Sequence, residues 1–443
     1  VYKAFHQHHI EASSENLRHL LEKKIPPRIM KILVEAGKLA YDMGFSVFIV
    51  GGFVRDLLLG VENLDIDLVV EGDGIFYAQR FAEKLGVSLT VHREFGTAIL
   101  NLGEQFKFHI DIATSRREYY PYPAALPQVE PAPLKEDLFR RDFTVNAMAI
   151  SLNPPNFGNL IDFFGGKEDI KKRKVKVLYP KSFIDDPTRI FRAVRFEQRY
   201  KFSLDENTEK FIRKALEEKV FQRLSGTRIK EELIQILEED RPERNIRRMH
   251  NLGILKMIHP KLSLTSRKEK TLDQLVDAIA AYEVLTGEKT RRWLVRLSVL
   301  LEDLDEQEMK NFCKRYSFTR EEKRILITCS SKAKEIAEKL KSPKMKPSSI
   351  YYLLEPFPSE ALILAMAKIK SKRVMKRIHF YLSHLKKITL EINGNDLKKM
   401  GYKPSPKFSY ILEETKKAKL NGLLKTKEDE IEFVRKNFGK GDT

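Results

Sequence analysis

The chain has few residues that could form covalent cross-links and no segment long and apolar enough for a membrane. Its 443 residues include one tryptophan and two cysteines, Cys313 and Cys329. Two cysteines are too few for a disulfide framework or a cysteine-based zinc site. No apolar run reaches the roughly 18 residues of a membrane-spanning helix, and the first twenty residues lack the apolar core of a signal peptide. These absences predict a protein of the reducing cytoplasm without a membrane partner.

Positive charge is plentiful but unevenly distributed. The sequence contains 81 Lys and Arg against 62 Asp and Glu, a formal net charge of +19. Residues 1–150 contain 17 basic and 20 acidic side chains, so the whole excess lies in residues 151–443. A basic half of this kind favours a polyanionic partner, because each neutralised phosphate releases counterions. A lysine-rich solvated surface is the alternative interpretation.

Strand and helix patterns are mixed at the start of the chain, and helical patterns alone follow. Apolar spacing predicts helices over 28–43, 53–60 and 74–86, and strands over 45–50, 66–70, 88–92, 97–102 and 106–114. The proline-rich segment 115–135 predicts a long, mobile loop. The predicted fold class is α+β, with a mixed sheet and helices followed by an all-α half.

Two acids lie one residue apart at the second predicted strand. Side chains alternate across a strand, so Asp65 and Asp67 share one face about 7 Å apart while Leu64 joins the buried face. Carboxylates placed in this way can hold two Mg²⁺ ions, which suit phosphoryl chemistry. Asp111, in a later strand, is the predicted third carboxylate. For an isolated pair, two solvated turn acids are the alternative.

A glycine pair lies between the first strand and its helix. At Gly51 and Gly52, backbone N–H groups and the positive helix end can approach a phosphate. The GxGxxG pattern of a dinucleotide-binding turn is absent. Arg55, one turn into the helix, can add positive charge beside a triphosphate. A plain tight turn in which Arg55 pairs with Asp56 is the alternative.

The segment RRDFTVNAMA combines two arginines with an acid and an amide. Arg140 and Arg141 can contact phosphates, because a guanidinium matches a phosphate with forked hydrogen bonds. Asp142 can accept a hydrogen bond from a ribose hydroxyl, and Asn146 lies one turn further on. An Arg–Asp salt bridge at a helix start is the alternative.

The segment DDPTRIFRAVRF predicts the first turns of a helix. Asp185 or Asp186 caps it, and Arg189, Arg192 and Arg195 recur at every third position. Asp186 and Arg189 are neighbours at this spacing, so they present a hydrogen-bond acceptor beside donors. Cytosine and adenine match that pattern and uracil and guanine do not, so the pair could admit CTP and ATP without a template. A helix-capping ion pair is the alternative.

Five motifs in this order resemble those of the tRNA nucleotidyltransferase and bacterial poly(A) polymerase family, its class II branch. They are GGFVRDLLLG, LDIDLVV, RRDFTVNAMAI, DFFGGKEDI and DDPTRIFRAVRF. The resemblance implies a polymerase-beta-like nucleotidyltransferase head with a helical neck, body and tail. The predicted domains are a linker or upstream remnant over 1–25, the head over 26–155, the neck with its nucleotide-selecting helix over 156–245, the body over 246–345 and a tRNA-binding tail over 346–443.

The resemblance also implies an activity: template-independent addition of CCA to tRNA 3′ ends from CTP and ATP, with release of pyrophosphate and two Mg²⁺ ions. Asp65 and Asp67 would hold the metal with Asp111 beside them, and tRNA would bind through the basic helical half. The family usually has Glu at position 185, so the role of Asp185 is open. Addition of CC only, of A only or of poly(A) remains an alternative, as does a catalytically silent RNA-binding protein.

Overall fold

The computed structural model describes residues 15–103, 109–369 and 371–439. It contains two compact units, one ending at Glu232 and the other beginning at Leu233. The first combines a sheet with helices and the second contains helices, which confirms the predicted α+β class. Residues 1–14 of the predicted linker and 106–108 of the predicted fifth strand lie outside the described residues. The finer division into head, neck, body and tail stays a prediction.

The first unit contains eleven strands and ten helices among its described residues. The strands are β1 Ser46–Val50, β2 Ile66–Glu71, β3 Ser88–His92, β4 Thr97–Asn101, β5 His109–Thr114, β6 Arg116–Tyr119, β7 Gln128–Pro131, β8 Ala149–Ser151, β9 Leu160–Ile161, β10 Lys174–Val175 and β11 Ser203–Leu204. The α-helices are α1 Arg18–Lys24, α2 Pro27–Asp42, α3 Gly52–Leu59, α4 Gly74–Leu85, α5 Leu134–Phe139, α6 Gly166–Lys171, α7 Ser182–Asp185, α8 Thr188–Arg199, α9 Glu206–Glu217 and α10 Gly226–Glu238, in which the boundary with the second unit falls.

Seven strands form one mixed sheet in the order β3-β4-β5-β2-β1-β8-β9. Strands β2 and β5 pair in parallel and the other neighbours are antiparallel. One face, with Leu68 and Ile112, packs against α2 and α4, whose Leu33 and Phe81 are fully buried. The apolar residues of α2 and α4 recur at helical spacing, so each helix buries a single stripe of apolar side chains against the sheet. The sequence predicted α2, α4 and the strands β1 to β5 to within a few residues, but not β8 and β9.

Part of the opposite face is also covered. Phe48 and Val69 share the face of Asp67 by register, and they form a buried cluster with Leu134 and Leu138 of α5. Val50 at the end of β1 belongs to the same cluster, whereas its register partner Asp67 is only half-buried. The sheet therefore presents Asp67 at the border between its buried and its accessible parts.

Two local predictions differ from the structure. Leu64 does not join the buried face: it is 38% exposed, because β2 begins only at Ile66. The proline-rich segment is not an unstructured loop, since β6 and β7 pair into an antiparallel hairpin with Arg117 opposite Glu130. The sequence missed this hairpin because its strands are short and prolines obscure their alternation.

Short strands also occur among the helices that follow the seven-stranded sheet in the chain. Lys174–Val175 and Ser203–Leu204 pair in parallel and flank α8 in the chain. Helix α8 buries Ile190, Phe191 and Val194, with Phe191 stacked on Phe221 at a centroid distance of 5.0 Å. This packing holds the arginines of α8 on its remaining face.

The second unit is helical over its described residues. Its further helices are α11 Pro242–Asn251, α12 Ile254–Ile258, α13 Ser266–Thr286, α14 Arg292–Leu300, α15 Glu306–Arg315, α16 Arg320–Lys339, α17 Pro347–Leu354, α18 Ser359–Lys368, α19 Lys372–Ser383, α20 Gly394–Lys399, α21 Lys407–Leu420 and α22 Lys427–Phe438. Helix α18 packs against α13 and α16. Cys313 and Cys329 are both buried thiols. No described helix has the length and apolarity needed to span a bilayer.

Candidate active site

The acidic side chains of the sheet lie side by side. Asp67 of β2 is the register partner of Asp111 on the parallel strand β5, and Asp65 immediately precedes β2. Burial, followed by the charge of Asp65, raises the pKa of Asp67 to about 6. The pKa of Asp111 is also raised, first by burial and then by Asp65 against an opposing effect of His109. Asp67 and Asp111 thus resist ionisation in the absence of a cation.

The same carboxylates offer part of a cation site. Oδ1 of Asp111 is buried and has no hydrogen-bond partner in the described part of the chain. Within that part, no group of three His, Cys, Asp or Glu side chains forms a complete metal site. Mg²⁺ usually binds through one or two carboxylates and keeps water and phosphate ligands. Asp67 and Asp111, paired on neighbouring strands, therefore offer a partial ligand set for the predicted metal, and the predicted part of Asp65 in that set stays a prediction.

The glycine turn lies between these acids and an arginine. Gly51 has φ +74°, and a Cβ added there would lie 2.7 Å from Nη1 of Arg141 and 3.9 Å from Oδ2 of Asp67. Gly52 begins α3. A side chain at position 51 would therefore both strain the backbone and displace the arginine. The turn brings the main chain, the guanidinium group of Arg141 and the carboxylate of Asp67 within reach of one ligand.

Arg55 is engaged by protein groups, as the alternative interpretation of the turn required. Its Nε and Nη2 donate to both oxygens of Asp56 at 2.8 and 2.9 Å, and its Nη1 donates to Oδ1 of Asn146 at 2.6 Å. The guanidinium also lies 4.5 Å from the ring centroid of Tyr200 and 5.1 Å from that of Phe196. Arg55 also borders a cavity that Gly51, Asp67 and Arg141 line. Its contact with a triphosphate stays a prediction.

Arg140 and Arg141 share one buried acid. Arg140 donates Nε and Nη2 to Oδ1 of Asp137 and Nη1 to Glu118, while Arg141 donates Nη2 to Oδ2 of Asp137 at 3.1 Å. Burial alone would raise the pKa of Asp137, but the charges of Arg141 and Arg140 outweigh it and hold the pKa low. The ionised Asp137 therefore orients both guanidinium groups towards one wall of the cavity.

Asp142 forms the centre of a second network. Its Oδ1 accepts from Nδ2 of Asn146 at 2.8 Å, and its Oδ2 accepts from Nε of Arg192 at 2.8 Å. Although burial opposes ionisation, the nearby Arg192 and the Asn146 amide keep the pKa of Asp142 below its usual range. The predicted ribose contact would have to share these oxygens with Asn146 and Arg192.

Asp186 and Arg189 are adjacent, as their spacing predicted. Nε of Arg189 lies 3.9 Å from Oδ2 of Asp186. The other guanidinium nitrogens of Arg189 are occupied: Nη1 donates to Ser182 at 2.8 Å, and Nη2 donates to the carbonyl of Arg140 at 2.7 Å. The arginine is almost fully buried, so its orientation is fixed before any ligand arrives.

Most of the predicted residues line one cavity of about 380 Å³, a volume within the usual range of small-molecule sites. Its lining includes Gly51, Gly52, Arg55, Asp67, Arg140, Arg141, Asp142, Asn146, Asp186, Arg189 and Arg192. Four predicted residues are not among the lining residues: Asp65, Asp111, Asp185 and Arg195. The carboxyl groups of Asp65 and Asp111 are nevertheless close enough to Asp67 to affect its pKa.

Arg195 and Asp185 have other partners. Three-residue steps rotate about 60° per step around a 3.6-residue helix, so Arg195 lies far around α8 from Arg189. Its Nη1 lies 3.9 Å from Glu232. The carbonyl of Asp185 accepts from the backbone N–H of Ala124 at 3.1 Å. The cavity lining thus does not include Asp185, the position at which the family usually has Glu.

The sequence analysis missed several residues that complete the site. Glu118, Tyr120, Pro127 and Phe196 also line the cavity, and Asp137 orients its arginines. Three of the four lining residues, Glu118, Tyr120 and Pro127, belong to the proline-rich segment. Its clustered Arg, Glu and Tyr residues were the only signal that could have indicated them.

Family models agree with this architecture. The model described as Poly A polymerase head domain matches residues 47–176, and one described as tRNA nucleotidyltransferase domain 2 matches residues 286–434. An A-adding tRNA nucleotidyltransferase of Halalkalibacterium halodurans is 30% identical over 98% of both chains. The chain belongs to the tRNA nucleotidyltransferase and poly(A) polymerase family. This confirms the resemblance inferred from the motifs.

Other members of the family match over different shares of their length. An A-adding tRNA nucleotidyltransferase of Geobacter sulfurreducens is 38% identical over 94% of this chain but only 48% of its own. The chain therefore spans about half the length of that relative, and also 45% of an A-adding relative from Aquifex aeolicus.

Solved structures of nucleotidyltransferases match nearly the whole chain. An apo CCA-adding enzyme has a TM-score of 0.82 at 39% identity, covering 95% of this chain and 98% of its own. The Thermotoga maritima CCA-adding enzyme complexed with tRNA has a TM-score of 0.76 at 35% identity, covering 96% and 99%. A CCA-adding enzyme complexed with ATP has a TM-score of 0.80 at 34% identity, covering 96% and 99%.

Proposed function

We propose that the protein adds nucleotides to tRNA 3′ ends without a nucleic acid template, using CTP and ATP and releasing pyrophosphate. The observation that carries the proposal is one cavity lined by Asp67, the Gly51 turn, Arg141 and the Asp186–Arg189 pair. A phosphate-binding turn, a metal-binding acid and a base-reading pair are the parts that such a reaction needs. The names of the relatives support the same reaction.

The residues divide into three roles. Asp65, Asp67 and Asp111 would hold divalent cations, predicted to be two Mg²⁺; bound there, the ions would supply charge for activating the 3′ hydroxyl and for stabilising pyrophosphate. Gly51, Gly52, Arg55, Arg140 and Arg141 would border the triphosphate, with the oriented Arg141 closest to Asp67. Asp142 and Asn146 would face the ribose, supported by Arg192.

Asp186 and Arg189 would read the base. Oδ2 of Asp186 can accept from the amino group of cytosine or adenine, and Nε of Arg189 can donate to the adjacent ring nitrogen. Uracil presents a carbonyl to the carboxylate, and guanine presents a ring N–H to the guanidinium. Each mismatch leaves a buried polar group unpaired, which is an effective way to reject a ligand.

The acceptor is proposed to be tRNA. The basic excess of residues 151–443 suits a folded RNA, whose shape and phosphates a protein contacts more than its base sequence. The related complex with tRNA supports this choice. The cytoplasm is the corresponding proposed location.

Addition of A alone is a second candidate. Three relatives, 30 to 38% identical to this chain, are named A-adding tRNA nucleotidyltransferases, while the three solved structures described above are CCA-adding enzymes. The Asp186–Arg189 pair is compatible with both activities, because it accepts ATP in each case.

One experiment separates the candidates. The protein is incubated with tRNAs that end before C74, before C75 and before A76, and one labelled nucleotide is supplied at a time. CCA addition extends all three substrates, A-only addition extends the last with ATP alone, and a poly(A) polymerase continues past one A. Incorporation of UTP or GTP as efficient as that of CTP and ATP would refute the proposed base reading.

A further inference from the structure

Asn63 connects the exposed segment before β2 to a buried acid of α3. Its Nδ2 donates to Oδ2 of Asp56 at 2.8 Å, and its Oδ1 accepts from the backbone N–H of Asp65 at 2.8 Å. The sequence analysis assigned Asn63 no function. The short amide suits both contacts, because it carries a donor and an acceptor side by side.

The contact between Asn63 and Asp65 is a local turn. A side-chain oxygen that accepts from the N–H two residues later closes an Asx turn. The turn ends just before Ile66, where β2 begins, and Leu64 within it is exposed. Because Asp65 precedes the first residue of the strand, its backbone is set by this turn rather than by the ladder of the sheet.

The contact between Asn63 and Asp56 anchors the turn. Asp56 is buried and accepts from Nε and Nη2 of Arg55 at 2.8 and 2.9 Å. Its backbone carbonyl also accepts from the N–H of Val61 at 2.9 Å. A hydrogen bond to a charged acceptor is stronger than one between neutral groups. The segment that contains Asp65 is therefore fastened to a buried ion pair.

The anchored acid lies beside the acid of the cavity. Asp65 is exposed, yet burial and then the charge of Asp65 raise the pKa of Asp67, so the two carboxyl groups are close together. Like charges repel, and an exposed acid on an unanchored segment would turn away from its neighbour. The turn and its anchor oppose that movement.

We propose that Asn63 is a positioning residue for the predicted cation site: by tying Asp65 to Asp56, it holds the Asp65 carboxylate beside Asp67 before a cation arrives. Asn63 is not among the residues that line the cavity and acts through Asp65. The inference rests on the proposed function, because it specifies how that site keeps the one acid that lies outside the sheet. Without Asn63, the cation would have to order the segment as it binds. Groups behind metal ligands commonly contribute about 10- to 100-fold in affinity.

The test measures cation binding directly. Mn²⁺ alone is titrated into the full chain, and the signal of the free ion is followed by electron paramagnetic resonance. Asn63→Ala should weaken Mn²⁺ binding about 10- to 100-fold. Asn63→Ser should weaken it as well, because a serine oxygen can still close the turn but ends one atom short of the nitrogen that reaches Asp56. Wild-type affinity in either variant would overturn the inference.

Asn16 provides a matched control within the same unit. Its Oδ1 accepts from the backbone N–H of Arg18 at 2.8 Å, and its Nδ2 donates to the carbonyl of Phe157 at 2.8 Å. It therefore combines an Asx turn with a remote anchor, as Asn63 does, but beside β9, where it bridges to Asn159. Asn16→Ala should keep the wild-type affinity for Mn²⁺; a loss equal to that of Asn63→Ala would contradict the positioning role.

A double-mutant cycle with Asp65→Ala shows whether the effect passes through Asp65. Once the carboxylate is absent, Asn63→Ala should weaken Mn²⁺ binding no further. A merely structural role predicts the same loss in both backgrounds, which would overturn the inference, as would equal Mn²⁺ affinity in wild type and Asp65→Ala. Circular dichroism checks that each variant folds, and Asn63→Ser takes the place of Asn63→Ala in the cycle if the latter does not.

A second readout separates this inference from the proposed function. In Asn63→Ala, the Mg²⁺ concentration for half-maximal nucleotide incorporation should rise about 10- to 100-fold, and saturating Mg²⁺ should restore the rate. An equal loss of rate at every Mg²⁺ concentration would contradict the positioning role. If the wild type extends no tRNA but binds Mn²⁺ through Asp65, and Asn63→Ala weakens that binding, the proposed function fails and the positioning role stands. If the wild type extends tRNA and the Asn63 variants bind Mn²⁺ as it does, only the positioning role fails.

Discussion

Asp67 and Asp111 occupy paired positions on two parallel strands, so the sheet itself places their carboxylates side by side. Neighbouring strands lie about 4.8 Å apart, and side chains at paired positions share a face. His109 Nε2 lies 3.8 Å from Oδ1 of Asp111. The charge of Arg141 lowers the pKa of Asp67, but burial and the charge of Asp65 outweigh it and raise the pKa to about 6. The arrangement disfavours the metal-free, ionised state and favours a bound cation.

Asp67 should make stability depend on pH. A carboxyl whose pKa is raised on folding, here to about 6, stabilises the folded state fully below its unfolded pKa, and this contribution is lost as pH rises through about 6. Asp67→Asn should therefore change the free energy of unfolding little at pH 4 and raise it by about 1–2 kcal/mol at pH 8 without divalent ions. Urea unfolding across this range, with the exposed Glu62→Gln as control, measures the difference; a constant difference at every pH would contradict the assignment.

Asp65 should be required for chemistry and dispensable for folding. It is exposed and precedes β2, so Asp65→Ala should change the melting temperature little. Removing a metal-binding carboxylate should lower nucleotide incorporation at least about 100-fold, because the charge stabilisation that it supports is worth several kcal/mol. Glu62→Ala, in the same exposed loop, is the control. Wild-type incorporation by Asp65→Ala would refute the metal assignment.

Gly51 and Gly60 flank the same helix and provide a matched pair. Their φ values are +74° and +73°, but a Cβ at Gly60 meets nothing within 4 Å, whereas one at Gly51 meets Arg141. Gly60→Ala should lose about 1 kcal/mol of stability from backbone strain. Gly51→Ala should lose more, because ψ is −133° at Gly51 against 13° at Gly60, outside the left-handed helical region that alanine can adopt. Only Gly51→Ala should raise the KM for ATP, because it displaces Arg141. Equal KM values in the two variants would show that the turn is structural only.

Arg55 should contribute to stability more than its surface counterpart. It is buried with Asp56 and two aromatic rings, whereas the exposed Arg80 pairs with Glu83 and lies 5.5 Å from the ring of Phe76. Arg55→Ala leaves Asp56 buried without its partner and should cost about 3–5 kcal/mol. Arg80→Ala should cost less than about 1 kcal/mol. Urea unfolding followed by circular dichroism compares them, and similar losses would contradict the argument.

Patterns within short segments of the sequence predicted the main parts of the site. The alternation around Asp65 and Asp67, the glycines before α3 and the three-residue spacing of Asp186 and Arg189 are properties of short segments. Each could be predicted because side-chain direction in a strand or helix follows from spacing alone. Spacing alone misplaced Arg195. Each three-residue step along α8 turns about 60° around the helix axis, so two steps place Arg195 well away from the face of Arg189.

The sequence by itself determined which short segments become strands and helices and where acids, glycines and arginines lie along them. It could not decide between Arg55 binding a phosphate and Arg55 pairing with Asp56 and Asn146, since Asn146 is 91 residues away. Nor could it indicate that Asp137 orients two arginines or that Asp142 pairs with Arg192. Those contacts join segments distant in the chain, and only the packing of the sheet, the hairpin and α8 brings them within hydrogen-bonding distance.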